Sequence, residues 1–177
     1  MSIKFIDPEE VLEEIDLRPE MRGAEFGCGA GHWAVSLASY LNKGLVYALD
    51  VQPGPLSALR AKVEREGIPN LQILQRDVSE KEGSALPARS LDIVLIPNLL
   101  FQAEEKEEVL KEAKRILCPK GILLVVDWRK KKRLTSSQPY VSAAQVQSMA
   151  KKLGFSFQKE ISAGESHYAL IFTRENE

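Results

Sequence analysis

The stretch Glu25-Phe26-Gly27-Cys28-Gly29-Ala30-Gly31 sets three alternating glycines between a short apolar run and a helical pattern. Glycine lacks a Cβ, so a loop of this kind turns tightly and brings backbone close to a ligand. Loop N–H groups and the start of the following helix together favour an anionic or hydrogen-bond-accepting group. A dinucleotide fingerprint needs Gly-x-Gly-x-x-Gly, and its third glycine falls on His32. The spacing is instead Gly-x-Gly-x-Gly, with the acid Glu25 just ahead. A second acid, Asp50, closes the next apolar run, near the ~20-residue spacing of a carboxylate that grips ribose hydroxyls. A carboxylate accepts from both hydroxyls of a cis-diol. Loop and acid together describe a nucleotide-type cofactor site.

Alternating strands and helices must position these groups. Asp7-Pro8-Glu9-Glu10 reads as an N-cap, a first-turn proline and a capping-box acid, opening a short helix through Ile15 that Pro19 blocks. Residues 21–26 suffice for one brief strand. Ala34, Val35, Leu37, Ala38 and Leu41 then recur at helical spacing, up to the stop at Asn42-Lys43-Gly44. Residues 45–50 read as a buried parallel strand, 53–67 as a helix with Leu56, Leu59 and Val63 inward, and 71–76 as a third strand followed by Asp77. A polar loop, 79–90, leads to the continuous apolar run 91–96, the pattern of a parallel strand buried on both faces. Residues 104–117 are amphipathic. Cys118-Pro119-Lys120-Gly121 ends that helix, and strand five covers 122–127. Ser142 caps a last helix that Gly154 closes, and 155–161 and 167–173 form a hairpin joined by 162–166.

The 177 residues fit one domain, and 44% apolar with 28% charged residues describes a globular chain able to bury a core. A net charge of −1 argues against a general nucleic-acid binder. The two cysteines, Cys28 and Cys118, have no ligand spacing, so neither a metal site nor a disulfide framework is expected. No apolar run is long enough to span a bilayer. A reduced, cytoplasmic setting is the expectation.

The ordered set (the glycine motif, Asp50, Asp77, the Pro97-Asn98 strand end, the Pro119-Gly121 turn and the terminal hairpin) resembles the class I S-adenosylmethionine (SAM) methyltransferases across residues 20–174. The resemblance implies an α/β, Rossmann-like three-layer sandwich: a seven-stranded, mostly parallel sheet in order 3-2-1-4-5-7-6 with strand 7 antiparallel. It implies a single domain over 1–177, with 1–20 as a helical extension that either covers part of the cofactor site or packs on the sheet. The implied cofactor is SAM, held by Glu25, Phe26, Gly27, Cys28, Gly29, Gly31, Asp50 and Val51. Asp77 would meet the adenine amine and the Val78 N–H its ring, with Pro97 and Asn98 at the methionine end facing substrate.

The implied reaction is in-line displacement at a sulfonium methyl, whose neutral thioether leaving group needs no general acid. The resemblance is strongest to small, insertion-free members acting on small molecules. Pro97-Asn98-Leu99 departs from the Asn-Pro-Pro-Tyr of members that methylate amides and base amines, and two cysteines are too few for arsenic-binding members. Candidate catalytic groups are His167, Asn98 and Tyr140, with Asp127 and Glu165 also near that face; His32 more simply starts its helix. The basic run 129–133 leaves RNA or protein as an alternative acceptor. A non-catalytic SAM-binding or partner subunit is a third reading. Membrane attachment is not expected.

Overall fold

The computed structural model describes residues 6–129 and 140–176. The elements run α1 (Pro8–Leu12), β1 (Arg22–Phe26), α2 (His32–Tyr40), β2 (Leu45–Asp50), α3 (Pro53–Glu66), β3 (Leu71–Gln75), β4 (Leu91–Pro97), α4 (Lys106–Ile116), β5 (Leu117–Trp128), α5 (Ala143–Lys152), β6 (Phe155–Ala163) and β7 (His167–Arg174). The sheet order is β3-β2-β1-β4-β5-β7-β6. Strands β1 to β5 pair in parallel, and β7 inserts antiparallel between β5 and β6. This is the expected topology.

Strand periodicity builds the three layers. Ile93, Leu95, Leu124, Val126 and Ala169 face the layer formed by α1, α2 and α3. Their neighbours Val94, Ile96, Leu123, Val125 and Leu170 face α4 and α5. A strand buried on both faces must be apolar at every position, which is why β4 and β5 show no alternation. Local signals hold the helices: Asp7 accepts the Glu9 N–H at 3.0 Å, Ser142 and Gln145 form a reciprocal capping box, and Gly67 at φ 64° closes α3.

Element bounds differ from the sequence expectation in three regions. Helix α1 ends at Leu12, not Ile15, and packs on α2 and β6, with Glu14 reaching Lys159 at 3.3 Å. Helix α4 starts at Lys106 and passes directly into β5, where Leu117 already pairs with Leu91 and Ile122 pairs with Ile93. The expected turn at 118–121 is therefore a bulge inside the ladder, with Lys120 at φ 63°; Pro119 has no N–H to give to a ladder. Strands β6 and β7 run on to Ala163 and Arg174, leaving only 164–166 as the turn.

A buried polar cluster braces the 79–90 loop. Glu112 accepts the Ser84 N–H at 3.0 Å and its hydroxyl, while Arg115 bonds Glu112 at 2.7 Å and the Leu86 carbonyl at 2.8 Å. Because β1 lies between β2 and β4, the chain reverses its direction of winding there, opening a crevice at the carboxyl ends of β1 and β4.

Candidate cofactor and acceptor site

Gly27, Gly29 and Gly31 all take positive φ (71°, 50° and 78°), a region costly for other residues. A Cβ on Gly31 would lie 2.3 Å from Leu59 Cδ1, so this glycine also lets α2 and α3 approach. Four of the loop N–H groups have acceptors within the protein. Gly27 and Cys28 both donate to the Leu49 carbonyl, at 2.8 and 2.9 Å, and Gly31 donates to the Cys28 carbonyl at 2.7 Å. Gly29 donates to Asp50 Oδ2 at 2.8 Å. The neighbouring strand β2 thus supplies the acceptors for Gly27, Cys28 and Gly29, and the loop itself that for Gly31.

Asp50 also accepts the Gln52 N–H on Oδ1, at 2.9 Å, which fixes its carboxylate at the loop. Around it lies a cavity of about 380 Å³ lined by Gly27, Asp50, Val51, Asp77, Val78 and Leu99 among others. Val51 is 51% exposed and forms an apolar part of the wall. Asp77 Oδ1 accepts the Ser79 N–H at 2.9 Å and its hydroxyl at 2.5 Å, a side-chain turn that leaves Oδ2 outside these bonds.

A second cavity, of about 320 Å³, shares Gly27 with the first and lies over the α1/α2 face. Glu25, Cys28, His32, Pro97, Asn98 and His167 line it, with Ile6, Trp33 and Trp128 as apolar walls. Glu25 is 1% exposed, and its Oε2 has no partner. Burial pushes its carboxyl well above the usual range, the Ala34 N–H at the start of α2 opposes this, and nearby Asp50 adds to it. Asn98 sits at φ 52°, anchored by its N–H on Val126 at 2.8 Å, with Oδ1 buried and unpartnered. His167 is 5% exposed and neither ring nitrogen has a partner; its ring lies 4.0 Å from that of Trp128. Burial alone pulls this imidazole down to about 4, so it is neutral at physiological pH. Burial, with Glu25 and Asp50, pushes the Cys28 thiol up, which leaves it a packing group.

The remaining expected residues fall elsewhere. Phe26 is fully buried on the α4/α5 face. Asp127 accepts N–H groups from Phe101 at 3.0 Å and Trp128 at 2.8 Å, tying the β4–α4 connection to β5 in place of facing a cavity. Tyr140 and Glu165 line neither cavity. Arg129 is occupied: it bonds the His167 carbonyl at 2.8 Å and Glu160 at 2.5 Å. The rest of the basic run, 130–133, lies outside the described residues. Sequence reasoning missed Ile6, Trp33, Trp128 and Leu99. Trp33 and Trp128 are the chain's two tryptophans, and each directly follows or precedes a motif residue, a signal available in the sequence.

The fold and its switch-point crevice define a Rossmann-like SAM-dependent methyltransferase class, and SAM is the cofactor that class implies. The chain belongs to the methyltransferase-domain family, whose model matches residues 24–121. Among curated proteins, methyltransferase str2 of Strobilurus tenacellus is 29% identical over 127 residues, 71% of this chain and 42% of that protein. The protein-L-isoaspartate O-methyltransferase of Pyrococcus horikoshii is 33% identical over 70 residues, 40% of this chain and 31% of that protein. The chain thus spans less than half the length of the curated relatives it matches. Among solved structures, a SAM-dependent methyltransferase from Aquifex aeolicus superposes with a TM-score of 0.85 at 26% identity, over 96% of this chain and 90% of that one.

Proposed function

We propose that this protein, acting as one domain over residues 1–177, transfers a methyl group from SAM to a small-molecule acceptor. The observation that carries this reading is a pair of cavities meeting at Gly27, one beside Asp50 and Asp77, the other holding the unpartnered Glu25 Oε2. In the first, Asp50 would accept both ribose hydroxyls and Asp77 the adenine amine, between Val51, Val78 and Leu99. In the second, Glu25 Oε2 and the Asn98 amide oxygen suit the ammonium of the methionyl arm, and Pro97 and Cys28 flank it. SAM when bound supplies an electrophilic methyl on a sulfonium. The chain's own work is to hold that methyl against the acceptor and to exclude water.

Among the described residues no helix is long and apolar enough to cross a membrane, and none of their His, Cys, Asp and Glu side chains cluster as metal ligands. A reducing, cytoplasmic setting fits two cysteines that remain free thiols. Arg129, engaged by Glu160, gives no support to an RNA acceptor. Calorimetric titration with SAM tests the cofactor assignment, and methyl-labelled SAM incubated with a metabolite pool tests for a small acceptor. Absence of binding refutes the first; label appearing only in RNA or protein refutes the second.

A further inference from the structure

The second cavity contains polar groups that the cofactor reading does not use. If Glu25 takes the methionyl ammonium, His167 still lines the cavity, a neutral imidazole whose two nitrogens are buried and unpartnered. Buried polar side chains nearly always find partners, so a residue 5% exposed with neither nitrogen bonded is built for something that arrives later. Its position is held from behind. Its backbone pairs with Trp128 in the β5–β7 ladder, its carbonyl accepts from Arg129 at 2.8 Å, and Arg129 is itself fixed by Glu160. The Trp128 ring lies against one side of the imidazole.

The walls state what can enter. Ile6, Trp33 and Trp128 are apolar, and no Lys or Arg is among the described residues lining the cavity. Apart from the cofactor's own charges, an anionic acceptor would lose hydration there without meeting a cationic side chain among the described lining residues, which is unfavourable. A bare hydrocarbon would leave the imidazole unbonded. A hydroxyl satisfies both conditions, because it donates to one imidazole nitrogen or accepts from the other without bringing charge. We infer that His167, packed against Trp128 in the cavity that Asn98 also lines, is the recognition group for an uncharged, apolar acceptor carrying a hydroxyl. This rests on the methyltransferase reading above and adds the class of acceptor to it.

The test is calorimetric titration of the protein saturated with S-adenosylhomocysteine, using 2-naphthol, naphthalene and 2-naphthoate as probes. The wild type binds 2-naphthol at least tenfold tighter than naphthalene or 2-naphthoate. His167→Phe, which keeps a ring against Trp128, loses that preference and binds 2-naphthol and naphthalene alike, while S-adenosylhomocysteine affinity stays within twofold. His167→Gln, which keeps donor and acceptor atoms, retains part of the preference and covers the case in which the Phe variant does not fold. Equal or tighter binding of 2-naphthoate overturns the inference, as does an unchanged naphthol preference in His167→Phe or no naphthol binding at all. Failure of S-adenosylhomocysteine itself to bind is a separate result, and it removes the cofactor reading instead.

Discussion

Asp50→Ala separates the loop-bracing role that the structure gives this carboxylate from the diol contact proposed for it. Each Asp50 oxygen already accepts a backbone N–H, from Gly29 at 2.8 Å and Gln52 at 2.9 Å. A carboxylate oxygen has room for a second donor, so both ribose hydroxyls can be accommodated without releasing the loop. Hydrogen bonds to a charged group contribute roughly 1.5–3 kcal/mol each. Loss of two with partial compensation by water costs on the order of 3 kcal/mol, about a hundredfold in Kd. The same substitution strips the acceptors from two loop N–H groups, at roughly 1–2 kcal/mol of fold stability. For a domain of this size that is a fall in Tm of about 2–4 °C per kcal/mol. Titration calorimetry gives the first quantity and scanning calorimetry the second. A loosened loop alone would mimic a lost diol contact, so the decisive comparison uses S-adenosylhomocysteine lacking the 2′-hydroxyl. Wild type should discriminate against the deoxy ligand by about tenfold or more, and Asp50→Ala should not. If the variant binds SAM within twofold of wild type while its Tm falls, Asp50 is a brace for the loop and the diol assignment is wrong.

Gly31→Ala places a Cβ 2.3 Å from Leu59 Cδ1 at φ 78°, so strain and overpacking together should cost about 2–4 kcal/mol in urea unfolding; adding Leu59→Ala should recover part of it. Glu112→Ala leaves Arg115 and Ser84 without their partner and should cost about 3 kcal/mol, with proteolysis of the 79–90 loop rising in step; a loss under 0.5 kcal/mol would show the loop is held otherwise. For Glu25 the pH sign runs opposite to the usual acid. Its native carboxyl is raised by burial, so the native state holds a proton the unfolded chain has released, and stability falls as pH rises from about 4.5 through the native pKa. Denaturant titrations across that range should show the slope in wild type and lose it in Glu25→Gln; an equal slope in both assigns it to another group. SAM binding should release a proton as Glu25 ionises against the ammonium, so the binding enthalpy should vary with buffer ionisation heat in wild type and much less in Glu25→Gln.

How much of this was legible beforehand depends on what kind of information each feature carries. The two-faced apolar runs 91–96 and 122–127 announce buried parallel strands because burial on both sides leaves no polar position to alternate with. The glycines at 27, 29 and 31 announce positive φ. The sequence does not say where a strand-end acid points. Asp50, Asp77 and Asp127 all close or follow strands, and by spacing alone each suits a ligand. Placement separates them: Asp50 and Asp77 line a cavity, while Asp127 lines neither cavity and ties Phe101 and Trp128 through their N–H groups. The bonding of the Gly27 and Cys28 N–H groups was likewise hidden, since their acceptor, the Leu49 carbonyl, comes from the neighbouring strand and no local pattern encodes it. Trp128 escaped notice because residues after a strand read as loop, although β5 continues through it.

Within the described residues, the buried side-chain atoms without partners are Glu25 Oε2, Asn98 Oδ1, both nitrogens of His167, and Arg174 Nε. All but the last line one cavity. Elsewhere the protein satisfies its buried polar groups thoroughly: Glu112 gathers Ser84 and Arg115, and Tyr168 donates its hydroxyl to the Val141 carbonyl at 3.0 Å. A chain able to do that at its periphery had the means to do it at the switch point, where a Leu at 25 or 167 would remove the desolvation cost outright. That stability is forgone at three positions converging from β1, the end of β4 and the start of β7, elements far apart in sequence. Scattered orphans would mean loose packing. Concentrated ones, near a carboxylate held in place by two backbone N–H groups, are what the proposed cofactor and acceptor would satisfy.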